Sequence, residues 1–435
     1  MTRHNGKGTG SVSENLRLIS LEVLLKWEKE GGSCDAMITE VLENYAYLGR
    51  ESRSFIKRLT EGCIENKILL DHLIDNHSKI KVNKLKPVVR VILRLGMYQL
   101  YFMDHVPPHA AINEAVKLAR IKHLGALSGY INAVLRNADR ERTDIEAIKD
   151  LSIRYSCPEW LCELFLRDHG REATEKLLRS FIGAKKLYIR VNRVKTDAES
   201  LAERLEKAGI TVREVPGFEE ALEIEGIDSL KRIPEFSLGL FTVQDISSMS
   251  VGRLIEPKKG LKVLDLCAAP GGKSTHAAER LRGYGTVEAR DISDKKLELI
   301  RENVDRLGLE NVLVKLSDAA LYDEESRDKY DVMIADLPCS GLGVIGRKNE
   351  IKYRLKKEDI EALAKLQRAM LDASCRYVHI GGRLIFSVCT VTREETYMQR
   401  EYIESLGFKL VDERLFLPGA EDSDGFYYAV FTREK

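Results

Sequence analysis

Between Lys262 and Leu281 a short apolar run, KVLDLC, meets the turn AAPGG and then the helical pattern KSTHAAERL. A run of this length reads as a strand buried on both faces, and the glycine pair lets the chain turn straight into a helix. Strand, glycine turn and helix in that order call for a parallel partner strand reached by a crossover. The rest of the C-terminal half supplies the partners. TVEARD (286–291), VLVKLS (312–317), YDVMIADL (330–337) and RLIFSVC (383–389) read as strands, while KKLELIRENVDRLG (295–308) and EDIEALAKLQRAMLDASCRYVHI (358–380) read as helices. FKLVDERLF and GFYYAVFTRE suggest a closing antiparallel pair. Residues 237–435 are therefore expected to form an α/β, Rossmann-like, mostly parallel domain with its ligands beyond the strand C-termini.

Upstream the periodicity changes. Residues 14–143 read as helix after helix, with ENLRLISLEVLLKWEKE, PVVRVILRLGMYQLYFM and SGYINAVLRNADR spacing their apolar residues three or four apart, and with Ser13 as a candidate N-cap. An all-α domain is expected there. Residues 144–236 combine a helical stretch (147–183) with the strand YIRVNRV, the helix AESLAERLEKAGI and the short strands VREV and ALEIEG, which suggests a small α+β connector. Residues 1–13 read as a short mobile tail, and a length of 435 residues accommodates three domains.

The net charge of +1 conceals an asymmetry, because residues 1–143 carry +6. Lys79, Lys81, Lys84, Lys86, Arg90 and Arg94 follow one another with no acid between Lys79 and Met103. Such a segment is either a surface for an anionic partner, nucleic acid first, or a solvated helix face. No apolar run approaches the roughly 18–20 residues that span a bilayer, and no secretory signal is visible. The eight cysteines form no CxxC pair and no cluster with histidine at zinc-ligand spacing. Neither a disulfide framework nor a metal site is expected, and the chain is placed in a reducing cytoplasm.

The candidate chemistry gathers at strand ends. Gly271 and Gly272 let a ligand approach the main chain at a helix start, where free N–H groups and the dipole favour a nucleotide-like occupant. A phosphate-binding P-loop would need glycine where Cys267 stands, although Gly272, Lys273 and Ser274 fit its end. Asp291 closes the next strand, where an acid can accept hydrogen bonds from ribose hydroxyls, and Asp318 closes the one after, facing a base. Asp336-Leu-Pro-Cys339-Ser-Gly and Ser387-Val-Cys389-Thr end two further strands. Two cysteines and a carboxylate beside a nucleoside-bearing cofactor suit methyl transfer to carbon 5 of a pyrimidine. Carbon 5 is a poor nucleophile until a thiolate adds at carbon 6. A carboxyl group near ring nitrogen 3 can share a proton, and a second base must then take the proton from carbon 5.

CAAPGGKS (267–274), DLPCSG (336–341) and VCT (388–390) with Glu394-Glu395 resemble the RNA cytosine-5 methyltransferases that use two cysteines. YIRVN (188–192) and VQDISSM (243–249) are similar to that family's upstream motifs, and RLGMYQL, DHVPPHAAINEAVKLA and SGYINAVLRNADR are similar to NusB-like RNA-binding domains. The fusion resembles the ribosomal RNA small-subunit methyltransferase B (RsmB/Sun) family. The resemblance implies Cys389 as nucleophile, Cys339 as the release cysteine and Asp336 on the target base. It implies S-adenosyl-L-methionine held by Cys267, Ala268, Ala269, Pro270, Gly271, Gly272, Lys273, Asp291, Asp318 and Asp336. It further implies 16S rRNA or a small-subunit assembly particle as partner; no metal and no membrane are expected, and the chain is expected to act as a monomer. Arg347, Lys348, Lys352 and Arg354 are candidate phosphate contacts. The family more often has Thr at Val388, and Ala or Pro at Leu337. A methyltransferase for tRNA or another rRNA, an assembly or antitermination factor and a P-loop NTPase are the rival readings.

Overall fold

The computed structural model describes residues 15–45, 47–227 and 229–435. The expected tail, 1–13, and the candidate cap Ser13 lie outside the described residues. The chain divides into two compact units, Met1–Ser156 and Cys157–Lys435.

The first unit is helical: α1 (Leu16–Glu30), α2 (Cys34–Asn44), α3 (Arg50–Glu65), α4 (Lys67–His77), α5 (Pro87–Phe102), α6 (Pro108–Ile121), α7 (Ser128–Arg140) and the single turn α8 (Leu151–Arg154). Asn15 caps α1 by accepting hydrogen bonds from the N–H groups of Arg17 and Leu18, an arrangement worth about 1 kcal/mol. Pro87 opens α5, where its missing N–H costs nothing. Val89, Val91, Ile92, Leu93, Leu95 and Met97 make α5 buried nearly all round, and α1, α3, α4, α6 and α7 pack against it.

The basic run is only partly a surface. Arg94 donates to Asp71 at 2.6 and 2.7 Å and pairs with Glu28, and Arg90 donates to Glu28 at 2.8 Å. Lys81 lies 3.4 Å from Asp75. Lys79, Lys84 and Lys86 are exposed. Arg90 and Arg94 hold the core of the bundle instead of facing a partner, because they sit on the inner side of a helix that is covered all round.

The second unit begins with α9 (Glu159–Ser180), which breaks at Gly170, where φ is 73°. A four-stranded antiparallel sheet follows, built from β1 (Leu187–Val191), β2 (Thr211–Val215), β3 (Phe218–Glu225) and β4 (Phe241–Val243) in the order β2-β3-β1-β4, with α10 (Ala198–Lys207) packed on it and the short α11 (Pro234–Ser237) before β4. Next come α12 (Ile246–Arg253), β5 (Lys262–Asp265), α13 (Gly272–Leu281), β6 (Thr286–Asp291), α14 (Asp294–Leu307), β7 (Val312–Leu316) and β8 (Tyr330–Asp336). α15 (Ile351–Arg354), α16 (Lys357–Ser374), β9 (Val378–Val388), α17 (Tyr397–Ser405), β10 (Phe408–Phe416) and β11 (Phe426–Arg433) complete the chain. The seven-stranded sheet runs β10-β11-β9-β8-β5-β6-β7. β9, β8, β5, β6 and β7 are parallel neighbours, and β11 and β10 close it antiparallel. The expected α/β domain is present, after a helical domain and an α+β connector.

Four elements depart from the sequence reading. The helix expected over 358–380 ends at Ser374, and Val378–Ile380 belong to β9, where Val378 pairs with Tyr330 before a bulge. The strand YIRVNRV stops at Val191, because Asn192 turns the chain by donating to the carbonyls of Gly239 and Leu307 and accepting from the Val194 N–H. α12 and α17 carry too few apolar positions to show a helical period.

Candidate active site

The parallel order β9-β8-β5-β6-β7 puts the C-terminal ends of five neighbouring strands along one edge of the sheet, and each carries a residue singled out from the sequence. Cys389 follows β9, Asp336 ends β8 with Cys339 just beyond, and the glycine turn follows β5. Asp291 ends β6, and Asp318 lies past β7. Local sequence sets each loop, and the shared strand direction brings the loops together.

At the glycine turn Gly271 has φ +103°, a backbone state that a side chain strains. α13 starts there without a side-chain cap, so its first N–H groups face outward. A Cβ on Gly272 would meet nothing within 4 Å, so there is space in front of the helix start. The turn is tied to the neighbouring strand: Ala268 N–H donates to the Arg290 carbonyl at 2.8 Å, and Ala269 N–H to Asp291 Oδ2 at 3.0 Å. Pro270 is exposed, with its carbonyl accepting from Asn303 at 2.9 Å. Asp291 also accepts from the Ile292 N–H at 2.8 Å and from Lys296 at 2.9 Å. Asp318 is half-buried and caps its own turn through the Ala320 N–H at 2.9 Å. Beneath the turn, buried Asp265 accepts from Ser274 at 2.5 Å while its Oδ1 has no hydrogen-bond partner. Burial pushes the Asp265 carboxyl up to about 7. Burial likewise raises the Cys267 thiol far above its ordinary value, which suits a packed residue rather than a nucleophile.

The two loop cysteines meet. Cys339 Sγ and Cys389 Sγ lie 3.1 Å apart. Contact with Cys339 lowers the Cys389 pKa against the effect of burial and of Asp336, with Lys273 and Lys348 also favouring the thiolate. The same contact and burial hold Cys339 well above its usual value, so it keeps the shared proton. Lys273 donates to Asp336 Oδ2 at 2.7 Å and stands 5.1 Å over the Phe426 ring. Burial disfavours its charge, but Asp336, Cys389 and Asp265 outweigh it and keep the ammonium protonated. Asp336 Oδ1 accepts from Ser387 at 2.8 Å. Lys273 thus points across to β8 and the cysteines, whereas a P-loop lysine would extend towards phosphates.

One residue of the site had no role assigned from the sequence. Glu395 is fully buried and accepts from the Ser340 N–H at 2.8 Å, from the Ser340 hydroxyl, from Thr392 at 3.0 Å, from Thr390 at 3.2 Å and from Gln367 at 3.2 Å. Burial raises its pKa against these bonds. Ser340 adjoins Cys339 and Thr390 adjoins Cys389, so this carboxylate ties the two cysteine loops together. The loops also touch directly, since Gly343 N–H donates to the Cys389 carbonyl at 3.0 Å. From the connector, His169 contacts the Val391 carbonyl at 2.9 Å and Asp168 accepts from the Arg393 N–H at 3.1 Å.

Two of the four candidate phosphate contacts are spent elsewhere. Arg347 pairs with Asp424 at 2.7 Å and Asp245 at 3.0 Å, and Lys352 is buried. Lys348 and Arg354 remain exposed. Among the described residues no helix is long and apolar enough to cross a membrane, and no group of three or more His, Cys, Asp or Glu side chains is placed to hold a metal ion.

Comparison with known proteins gives a consistent result across the chain. Residues 253–432 match the family described as 16S rRNA methyltransferase RsmB/F, residues 14–140 the NusB family, and residues 157–229 the ferredoxin-like domain of RsmF/B-like methyltransferases. The probable ribosomal RNA small subunit methyltransferase B of Bacillus subtilis is 36% identical over 388 residues, covering 88% of this chain and 86% of the relative. Its counterpart in Yersinia pseudotuberculosis is 30% identical over 431 residues, covering 97% and 99%. Among solved structures, PH0851 superposes with a TM-score of 0.81 at 24% identity over 98% of this chain and all of that one. NSun6 from Pyrococcus horikoshii with SFG gives 0.60 at 24% identity over 64% and 98%.

Proposed function

Since this chain belongs to the ribosomal RNA small subunit methyltransferase B family, we propose that it methylates carbon 5 of a cytosine in 16S rRNA with S-adenosylmethionine as donor, using two cysteines. The observation that carries the reading is the sulfur pair at 3.1 Å, with the thiolate favoured on Cys389 and the proton on Cys339. A structural pair of buried thiols would have no reason to share a proton beside a lysine and a carboxylate at a strand-end edge.

The residues fit the donor. The uncapped start of α13, the space before Gly272 and the carboxylate of Asp291 would hold its amino-acid and ribose parts, with Cys267, Ala268, Ala269, Pro270, Gly271 and Lys273 forming the turn, and with Asp318 and Asp336 along the same edge. When bound, the sulfonium supplies an electrophilic methyl group.

In this scheme the Cys389 thiolate bonds to carbon 6 of the cytosine, and the electron pair released into the ring makes carbon 5 nucleophilic. Asp336 faces the ring nitrogen 3 edge and steadies the charge that develops there, with Lys273 and Ser387 fixing its orientation. With its sulfur bonded to carbon 6, Cys389 no longer holds the Cys339 proton, so Cys339 releases that proton to solvent and, after carbon 5 has gained the methyl group, takes the proton from carbon 5. The carbon–sulfur bond then breaks, the ring double bond re-forms and Cys389 leaves as thiolate. The cytosine must leave its stack to reach this half-buried pair.

Cys389→Ala is expected to abolish transfer of radiolabelled methyl to 16S rRNA while leaving cofactor binding intact in titration calorimetry. Cys339→Ser is expected to accumulate a protein–RNA adduct that survives denaturing electrophoresis. Turnover by the first variant, or no adduct with the second, would sink the two-cysteine scheme. Bisulfite sequencing of the product identifies the cytosine.

A further inference from the structure

Away from the strand-end edge, the connector sheet and α13 enclose a cavity of about 380 Å³ lined by Arg193, Glu220, His276, Arg280, Arg282 and Tyr284, among others. Arg280 and Arg282 lie at the far end of α13 from the glycine turn, about 15 Å along this ten-residue helix. The site is thus separate from the catalytic edge but on the same helix.

The charges here do not balance. Arg190 and Glu279, buried and 2.9 Å apart, neutralise each other. That leaves Arg280 and Arg282, with Arg193, whose other neighbour is the exposed Glu219 at 3.6 Å, facing Glu220, which Arg253 already approaches at 3.5 Å. Arg280 uses only its Nε, on the Ile255 carbonyl at 3.0 Å. Burial lowers its pKa, and the nearby guanidinium groups of Arg253, Arg193 and Arg282 add to this against Glu220. Like charges crowd a partly dry cavity, an arrangement that an anion relieves.

Two further features make the cavity more specific than an anion hole. Glu220 Oε1 is buried and has no hydrogen-bond partner, and it stands 3.9 Å from His276 Nε2, beyond hydrogen-bond reach. Burial and the arginines around it keep His276 neutral. An acceptor left open in this way suits a hydroxyl donor. At the rim Tyr284 is 65% exposed, an aromatic face available for stacking. Guanidinium groups for phosphate, a carboxylate for a ribose hydroxyl and a ring for a base are the complement of a ribonucleotide.

We propose that this cavity binds a nucleotide of the RNA substrate at a distance from the target base, with Arg193, Arg280 and Arg282 on phosphate, Glu220 on a ribose hydroxyl and Tyr284 stacked on a base. This rests on the reading of the chain as an RNA methyltransferase. It adds a second anchor for the RNA, beside the end of α13 far from the glycine turn.

The test is fluorescence anisotropy of the full chain with a labelled single-stranded RNA oligonucleotide, without cofactor, across a salt series. Arg193→Ala with Arg282→Ala is expected to weaken binding about tenfold. It should also flatten the slope of log Kd against log salt by about 1.4, at roughly 0.7 for each phosphate no longer neutralised. Tyr284→Ala, at an exposed position, is expected to cost about fivefold with the slope unchanged. Unchanged S-adenosylmethionine affinity in titration calorimetry establishes that the variants are folded. Unaltered RNA affinity and slope would overturn the proposal. So would loss of adenosine monophosphate binding with RNA binding retained, because that outcome makes the cavity a free-nucleotide site. Because the assay involves no methyl transfer, a wild type that fails to methylate rRNA would overturn the proposed activity while a weakened variant still supports the cavity.

Discussion

At Cys389 the balance between charge and burial is set by single side chains. Burial and Asp336 oppose a thiolate there, while Cys339, Lys273 and Lys348 favour it. Lys273→Met removes a cation from this balance and leaves Asp336 without its 2.7 Å partner. The Cys389 pKa then rises, so, with the thiolate as the attacking group proposed above, the acid limb of kcat/KM is expected to move to higher pH. A pH profile of methyl transfer checks this, and an unmoved limb would show that Lys273 does not tune the thiol. Glu395 works through position. Each group that meets its carboxylate is a donor, namely the main chain and hydroxyl of Ser340, Thr390, Thr392 and the Gln367 amide. Glu395→Gln turns an amide NH2 towards those donors, which should cost about 1–3 kcal/mol in denaturant unfolding. kcat should fall as the cysteine loops loosen, and the cofactor affinity should stay unchanged because α13 is not touched. A stability loss with wild-type kcat would assign Glu395 to the core alone.

Among the elements, local patterns account for the positions of the loops but not for the ties between them. Cys339, Cys389 and the glycine turn were legible because each ends a short apolar strand, and parallel strands send their ends to one edge. Glu395 was not legible as a tie, since its donors come from three separate segments. The overrun of α16 has a local cause: Tyr377, Val378 and Ile380 continue a helical spacing, and only the pairing of Val378 with Tyr330 turns them into strand. Arg190 belongs to the same class of hidden connection. From β1 of the connector it reaches α13, donating to Glu279 at 2.9 and 3.1 Å, to Thr275 at 3.0 Å and to the Gly272 carbonyl at 2.8 Å. It thereby braces the helix that starts at the glycine turn. Arg190→Ala leaves Glu279 buried and unpaired, at a cost of about 3–5 kcal/mol. Replacing both by apolar residues of similar size should recover much of that loss, because no charge is then left stranded. Urea unfolding of the two variants tests the pair, and equal losses would mean that packing, not charge, dominates.

Over the whole chain, charge is divided by region, and the structure narrows which charges matter. The first 143 residues hold the +6, yet Arg90 and Arg94 are committed to Glu28 and Asp71 inside the bundle. Counting basic residues in sequence therefore overstates the surface available to an anion, because a guanidinium on the inner side of a helix looks the same as one on its outer side. Lys79, Lys84 and Lys86, close together around the start of α5 and exposed, are what remains of the run. If the helical unit contacts rRNA through them, replacing all three with glutamate should weaken RNA binding. It should also reduce the slope of log Kd against log salt by about 2.1 to 2.7, at roughly 0.7 to 0.9 for each of three phosphates no longer neutralised. S-adenosylmethionine affinity should not change, since the strand-end edge proposed to hold the cofactor belongs to the other compact unit. A salt series on the full chain decides between a nucleic-acid surface and a solvated face for this segment. A flattened slope marks the former, and an unchanged slope marks a face whose charge serves solubility alone.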